Sequence, residues 1–283
     1  MSLTSAEQKE LKIAACRIRM GAIEGVYCAQ SGHPGGSLSA AEIFASLYFR
    51  EMDLYPSRPK DGTRDRFVLS KGHACPGLYA ALALKGYFPW DELKKLRHVG
   101  AMLQGHPDMK GTPGIDMSTG SLGQGVSAAC GMALAGKLDG KNYRVYSLLG
   151  DGEVEEGEVW EAAMFAAHHK LDNLCLVVDC NGLQIDGPVA NVGGPEPIGE
   201  KFRAFGFDVQ KIDGHDFDAI GTAYAHARNV KGKPSMIVAK TVKGKGVSFM
   251  ENQVGWHGKA PNDEQYRTAM RELRKTLSEL EAE

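Results

Sequence analysis

Apolar positions recur along this 283-residue chain at two spacings, and the spacings separate helices from strands. Leu11, Ala14, Ile18, Ala22 and Val26 follow the helical period after Thr4-x-x-Glu7, which has capping-box spacing. This predicts a first helix ending near Gln30-Ser31-Gly32. A loop, His33 to Ser37, and a second helix, Ala40 to Phe49, are expected next, then a Pro-containing loop from Leu54 to Arg64. Short continuous apolar runs, Val145 to Leu149 and Leu174 to Val178, read instead as buried strands, and Arg66 to Ser70, Phe207 to Ile212 and Pro234 to Thr241 read as further strands. Helical segments separate them, at Ala74 to Lys85, Val126 to Leu138, Glu156 to Lys170, Pro197 to Phe205 and Asp216 to Val230. Strands alternating with helices predict an α/β fold with a doubly wound, mostly parallel sheet flanked by helices. No linker-like stretch divides the chain, so residues 1–283 are read as one domain.

Two further segments stand out. Gly100 to Gly125 is a long loop rich in glycine and poor in charge, and loops of this length in compact domains usually serve a function or are disordered. The tail, about residues 262–282, is a helix with a narrow apolar seam of Tyr266, Met270, Leu273, Leu277 and Leu280. That seam suits a partner or the domain itself, and is expected to stay partly uncovered until a partner docks.

Composition narrows the class. Hydrophobic residues make up 43% and charged residues 24%, normal for a globular domain with a real core. A net charge of −2 gives no overall pull toward nucleic acid or membrane. No apolar span is long enough to cross a bilayer, and the polar N-terminus lacks the apolar region of a signal peptide. The six cysteines form no CxxC pair and several lie among apolar residues, as expected of reduced thiols in a cytoplasmic protein.

The chemistry gathers around Gly150 to Asn181. Here strand, turn, helix and strand form a βαβ unit, so Asp151 and Asn181 emerge at the same sheet edge. That edge is where open α/β sheets bind ligands. A carboxylate and an amide oxygen there suit a hard cation such as Mg²⁺, usually shared with a diphosphate. The glycines flanking Asp151 let the backbone approach phosphate oxygens. Four histidines, His33, His73, His106 and His257, lie in glycine-flanked loops, where they can act as proton donors and hydroxyl ligands near neutral pH. None of their spacings suits a zinc site. His98, His168, His169, His215 and His226 are assigned structural or surface roles.

Glycine-Asp-Gly with an asparagine at this spacing resembles the thiamine diphosphate signature. SGHPGGS, LSKGHACPGLYA, QGHP, STGSLGQG and AKTVKGKG…WHGKAP stand in the order seen in the N-terminal half of transketolases. SKGHA and WHGKAP favour transketolase over deoxyxylulose-phosphate synthase. The resemblance covers essentially the whole chain. It implies a diphosphate-type thiamine-binding fold with Mg²⁺ (Ca²⁺ or Mn²⁺ as substitutes) held by Asp151, Asn181 and the carbonyl of Leu183. It implies Gly152 on a phosphate oxygen, Gly120 and Leu122 against the cofactor rings, and Lys243 and Lys71 near the diphosphate. His33, His73, His106 and His257 would line the cofactor and substrate funnel as the catalytic histidines. Glu156 and Glu161 match acidic positions at the family's dimer interface; read from the residues alone, they are an exposed acidic helix start. One departure is the Gly35-Gly36 pair, where many transketolases carry Ser or Thr.

Only one helix follows WHGKAP, whereas transketolases continue into a pyrimidine-binding domain and a C-terminal domain. The expected protein is therefore the N-terminal subunit of a two-component transketolase, working with a partner that carries the pyrimidine-binding domain. Two copies of each chain are expected. The expected reaction moves a two-carbon ketol unit from a ketose phosphate to an aldose phosphate. One alternative is a specialised relative acting on a branched or sulfonated sugar. A non-catalytic relative that keeps the fold is opposed by the retained histidines and metal ligands. A nicotinamide enzyme, suggested by Gly123-Gln-Gly125-Val-Ser-Ala128, is set aside because that motif follows a loop instead of a strand.

Overall fold

The structure, a computed structural model, describes residues 3–283. Helix α1 (Ser5–Ala29) opens on the expected capping box, with Thr4 and Glu7 each accepting from the other's backbone, and closes on Gln30 in the left-handed region. The expected loop at residues 33–37 is instead a short helix, α2 (Pro34–Ser39). Pro34 sits at its first turn with φ already suited to a helix, and the Ser37 hydroxyl donates back to the His33 carbonyl at 2.9 Å. The helix expected from Ala40 to Phe49 divides into α3 (Ala41–Ser46) and a π-helical segment (Leu47–Glu51).

Next in chain order come β1 (Arg66–Leu69), α4 (Cys75–Lys85) and α5 (Gln124–Leu138). They are followed by β2 (Val145–Gly150), α6 (Gly157–His168) and β3 (Leu174–Cys180). A two-stranded ribbon, β4 (Leu183–Gln184) and β5 (Gly187–Pro188), and a turn of helix, α7 (Val189–Val192), follow β3. The chain finishes with α8 (Ile198–Ala204), β6 (Asp208–Asp213), α9 (Phe217–Asn229), β7 (Ser235–Lys240) and α10 (Asp263–Ala282).

The main sheet runs β1-β2-β3-β7-β6, and every neighbouring pair is parallel. Both faces are covered. Tyr146, Leu148, Val177 and Ile237 enter a core shared with α1, α3, α4 and α9. Val145, Leu149, Val178 and Met236 enter a second core with α5, α6 and α8. Strands buried on two faces have no polar side to show, which is why they appear in the sequence as continuous apolar runs. All five strands point one way, so the ends of β1, β2, β3 and β7 meet at one edge.

The α10 seam is covered in part by the domain itself: Met270 and Leu273 are buried, while Tyr266, Leu277 and Leu280 stay partly exposed. It packs along α1, burying Ala269, Met270 and Leu273 with Cys16 and Ile23. Tyr266 stacks on Tyr27 with ring centroids 3.9 Å apart.

Candidate functional site

The strand ends open into a cavity of about 400 Å³. All twelve residues singled out from the sequence line it: the four loop histidines, Asp151, Gly152, Asn181 and Leu183, the lysines Lys71 and Lys243, and Gly120 and Leu122. Glu156 lies on its rim, whereas Glu161 faces solvent on α6.

One end is built by β2 and β3. Asp151 closes β2, is 3% exposed, and accepts from the Gly152 amide at 3.0 Å and from the Gly182 amide. Burial pushes its carboxyl up to about 6, and the nearby Asp179 charge adds to the rise. Asn181 follows β3. Its amide oxygen accepts from Leu183 N at 3.1 Å, and its amide nitrogen donates to Asp179 at 3.2 Å. The Leu183 carbonyl accepts from the Lys243 ammonium at 2.9 Å, and Lys243 also touches His257 Nδ1 at 2.9 Å. Burial and the Lys71 charge bring the Lys243 ammonium down to about 8.

Asp179 organises this end from behind. It is fully buried and accepts from Ser39, Lys71, Thr241 and Asn181. Burial alone would raise its carboxyl; the Lys71 ammonium and the hydroxyl donors outweigh burial and hold it below the usual carboxylate range. The Lys71 ammonium donates to Asp179 and to the Gly36 carbonyl, 3.0 Å away. Asp179 was not singled out from the sequence, because an aspartate closing an apolar run also reads as an ordinary turn residue.

The other end is histidine-rich. The His33 ring centroid lies 5.3 Å from His73, 6.4 Å from His106 and 5.5 Å from His257, and His73 and His257 are 5.0 Å apart. Burial lowers all four rings, bringing His33 to about 4 and His257 to about 3; Arg97, Lys71 and Lys243 add to the shifts. The rings are therefore neutral near pH 7. The buried Nδ1 of His33 has no partner.

The long Gly100–Gly125 loop brings His106 to this group without a strand, and with no helix before α5. Tyr79 donates to the carbonyls of Gln104 and His106, both at 2.9 Å, and Thr119 donates to the Leu69 carbonyl at 2.7 Å. Gly120 has φ +148°, and a Cβ there would lie 3.0 Å from the His106 ring. The Gly-Gln-Gly motif has a packing role: a Cβ on Gly125 would meet Ser70 Cα at 2.6 Å. Of the remaining histidines, His215 joins Glu42 at 3.0 Å to the Val242 amide at 2.9 Å, and His226 pairs with Asp208.

The sequence reading also missed Glu153. Its buried carboxylate accepts from Ser70 Oγ, from Gly123 N at 2.9 Å and from Gly150 N at 3.0 Å. Three segments far apart in sequence meet at this side chain, and no local spacing signals that.

Among the described residues no three His, Cys, Asp or Glu side chains cluster as a metal-binding group. The oxygen set at the strand ends is of another kind, one carboxylate, one amide and one backbone carbonyl. No helix among the described residues is long and apolar enough to cross a membrane.

Residues 10–277 match the family described as transketolase, thiamine diphosphate binding domain. The chain is 49% identical to the 6-deoxy-6-sulfo-D-fructose transketolase subunit of Clostridium sp. (strain MSTE9), over 96% of this chain and 98% of that one. It is 40% identical to an apulose-4-phosphate transketolase subunit of Phocaeicola vulgatus, over 96% of this chain and 97% of that one. The crystal structure of transketolase from Campylobacter jejuni superposes with a TM-score of 0.87 at 31% identity, over 98% of this chain. This chain spans 46% of that longer protein. The chain belongs to the transketolase family, as its thiamine diphosphate binding domain.

Proposed function

We propose that this chain is the diphosphate-binding subunit of a two-component transketolase that moves a two-carbon ketol unit from a ketose phosphate to an aldose phosphate. The observation that carries the reading is the single cavity that joins the Asp151–Asn181 edge to four neutral histidines. Thiamine diphosphate, when bound, supplies the nucleophilic carbon that takes up and passes on the two-carbon unit.

The residues at the strand edge fit a divalent cation. The donors are oxygens, as Mg²⁺ requires and as Ca²⁺ or Mn²⁺ also accept. Asp151 beside Asp179 concentrates negative charge in a buried place, and a cationic ammonium already sits on the Leu183 carbonyl. Asp151, Asn181 and the Leu183 carbonyl would hold the cation. Gly152 would face a phosphate oxygen, with Lys243 supplying positive charge and Lys71, paired with Asp179, lying nearby. Gly120 and Leu122 would support the rings.

The histidines bind and orient the sugar. A neutral imidazole donates through one nitrogen and accepts through the other, so each ring can hold a substrate hydroxyl and pass a proton. Residues 1–283 act as one diphosphate-binding unit. The partner is a second polypeptide carrying the pyrimidine-binding domain, and two copies of each chain assemble. The six free cysteines fit the reducing cytoplasm.

A second reading concerns the sugar. The names of two relatives aligned over nearly their full length specify 6-deoxy-6-sulfo-D-fructose, a sulfonated ketose, and apulose 4-phosphate. This supports a specialised donor in place of the common ketose phosphates. The test is ketol transfer with thiamine diphosphate and Mg²⁺, measured with common, branched and sulfonated sugars. The purified chain should be inert alone and active once its partner is added. Robust transfer by the chain alone would refute the two-component reading. Transfer from common ketose phosphates only would remove the specialised one.

A further inference from the structure

Glu153 occupies a position that the proposed chemistry does not use. Its side chain is 2% exposed and reaches the cavity wall between the two ends of the site. Oε1 accepts from the Ser70 hydroxyl and from Gly123 N, and Oε2 accepts from Gly150 N at 3.0 Å. Each partner belongs to a different segment. Ser70 precedes Lys71 after β1. Gly123 closes the Gly120–Leu122 turn and caps α5. Gly150 precedes Asp151 at the end of β2. One carboxylate therefore ties the turn proposed to meet the cofactor rings to the turn proposed to meet its diphosphate.

We propose that Glu153 is a positioning residue that fixes the spacing between the ring side and the diphosphate side of the cofactor site. The proposal rests on the thiamine diphosphate reading above. Each carboxylate oxygen accepts from a backbone amide, Oε1 from Gly123 and Oε2 from Gly150, so both positions need an acceptor. Glutamine has nearly the same shape but turns one end into an N–H₂ group. That end must then face either Gly150 N–H or the Ser70 and Gly123 donors, and at least one tie is lost. A ligand that touches both segments must restore the lost alignment on binding, at a cost in affinity; a ligand confined to the diphosphate end need not.

The two ligand classes give the test. Calorimetry on the full chain assembled with its partner, with Mg²⁺, compares thiamine diphosphate, which spans both segments, with inorganic diphosphate, which reaches one. Glu153→Gln should weaken thiamine diphosphate binding about tenfold or more while leaving inorganic diphosphate within about threefold. Ser70→Ala, which removes one tie and keeps the carboxylate, should shift the same ratio in the same direction by less. It serves as the readout if Glu153→Gln does not fold. Equal losses for the two ligands, or no loss in either variant, would overturn the positioning role, because a merely structural defect moves both affinities together. Absence of thiamine diphosphate binding by the wild-type assembly of chain and partner would instead overturn the functional reading, and this inference with it.

Discussion

Behind one end of the cavity Asp179 accepts four hydrogen bonds, while at the other end His33 leaves a buried ring nitrogen with none. The first end is a closed polar network in which strand termini, a lysine and two hydroxyls satisfy one another. The second is four neutral rings packed at 5.0–6.4 Å and supported by loops. A satisfied network fixes geometry before any ligand arrives. An unsatisfied buried polar atom, by contrast, costs stability. On the proposed function the two ends would divide the labour, the strand edge holding the cofactor and the histidines meeting the sugar.

Breaking the strand-edge end gives the largest expected effect. Asp151→Ala should abolish Mg²⁺-dependent thiamine diphosphate binding in calorimetry, with the melting temperature within a few degrees of wild type. Unchanged affinity would remove the strand edge from the account. Breaking the histidine end should do the reverse. Single replacements of His33, His106 or His257 by alanine should lower kcat/KM of the assembled enzyme by about 10²–10⁴ while cofactor affinity holds, because they remove proton donors and hydroxyl ligands only. Wild-type kinetics in all three would return these rings to a packing role.

The support behind the strand edge can be broken on its own. Lys71→Met leaves Asp179 charged and buried without its ion-pair partner. That should cost about 3–5 kcal/mol in urea unfolding, far more than loss of an exposed pair such as Arg203–Glu200.

The smallest effect is also the sharpest test of the contrast, because the two ends titrate in opposite senses. Burial lowers His33 to about 4 and His257 to about 3, while a histidine in the unfolded chain titrates near 6.5. As pH falls below about 6.5 the unfolded chain takes up those protons first, so the histidines withdraw stability down to about pH 4. Burial raises Asp151 to about 6, above its unfolded value near 3.9, so the folded state takes up that proton first and gains stability over about pH 6 to 4. Urea unfolding between pH 7 and 5 should show a shallower acid-side loss in His33→Gln than in wild type. Asp151→Ala should show a steeper one. Identical slopes in all three would mean that neither group is perturbed as described.

The strand edge was legible in the sequence for a physical reason. A strand buried on both faces must be apolar throughout, so the residue that ends the run also marks the sheet edge, as Gly150-Asp151 and Cys180-Asn181 do. The histidines were legible as residue types in glycine-flanked loops, but their convergence was not. His106 reaches His33 only because Tyr79 and Thr119 pin a long irregular loop from other elements. Asp179 and Glu153 escaped notice because most of their partners are distant in sequence. The α10 seam had the right residues, but which surface it covers depends on α1, and its period is silent on that.

The central claim is that Asp151, Asn181 and the Leu183 carbonyl together hold a divalent cation on a diphosphate. Anomalous diffraction from crystals grown with thiamine diphosphate and Mn²⁺ tests it most directly. The account predicts one strong peak bounded by the Asp151 carboxylate, the Asn181 amide oxygen and the Leu183 carbonyl, with the Lys243 ammonium moved off that carbonyl. A peak among His33, His73 and His257, or bound cofactor with no peak at the strand edge, would contradict it.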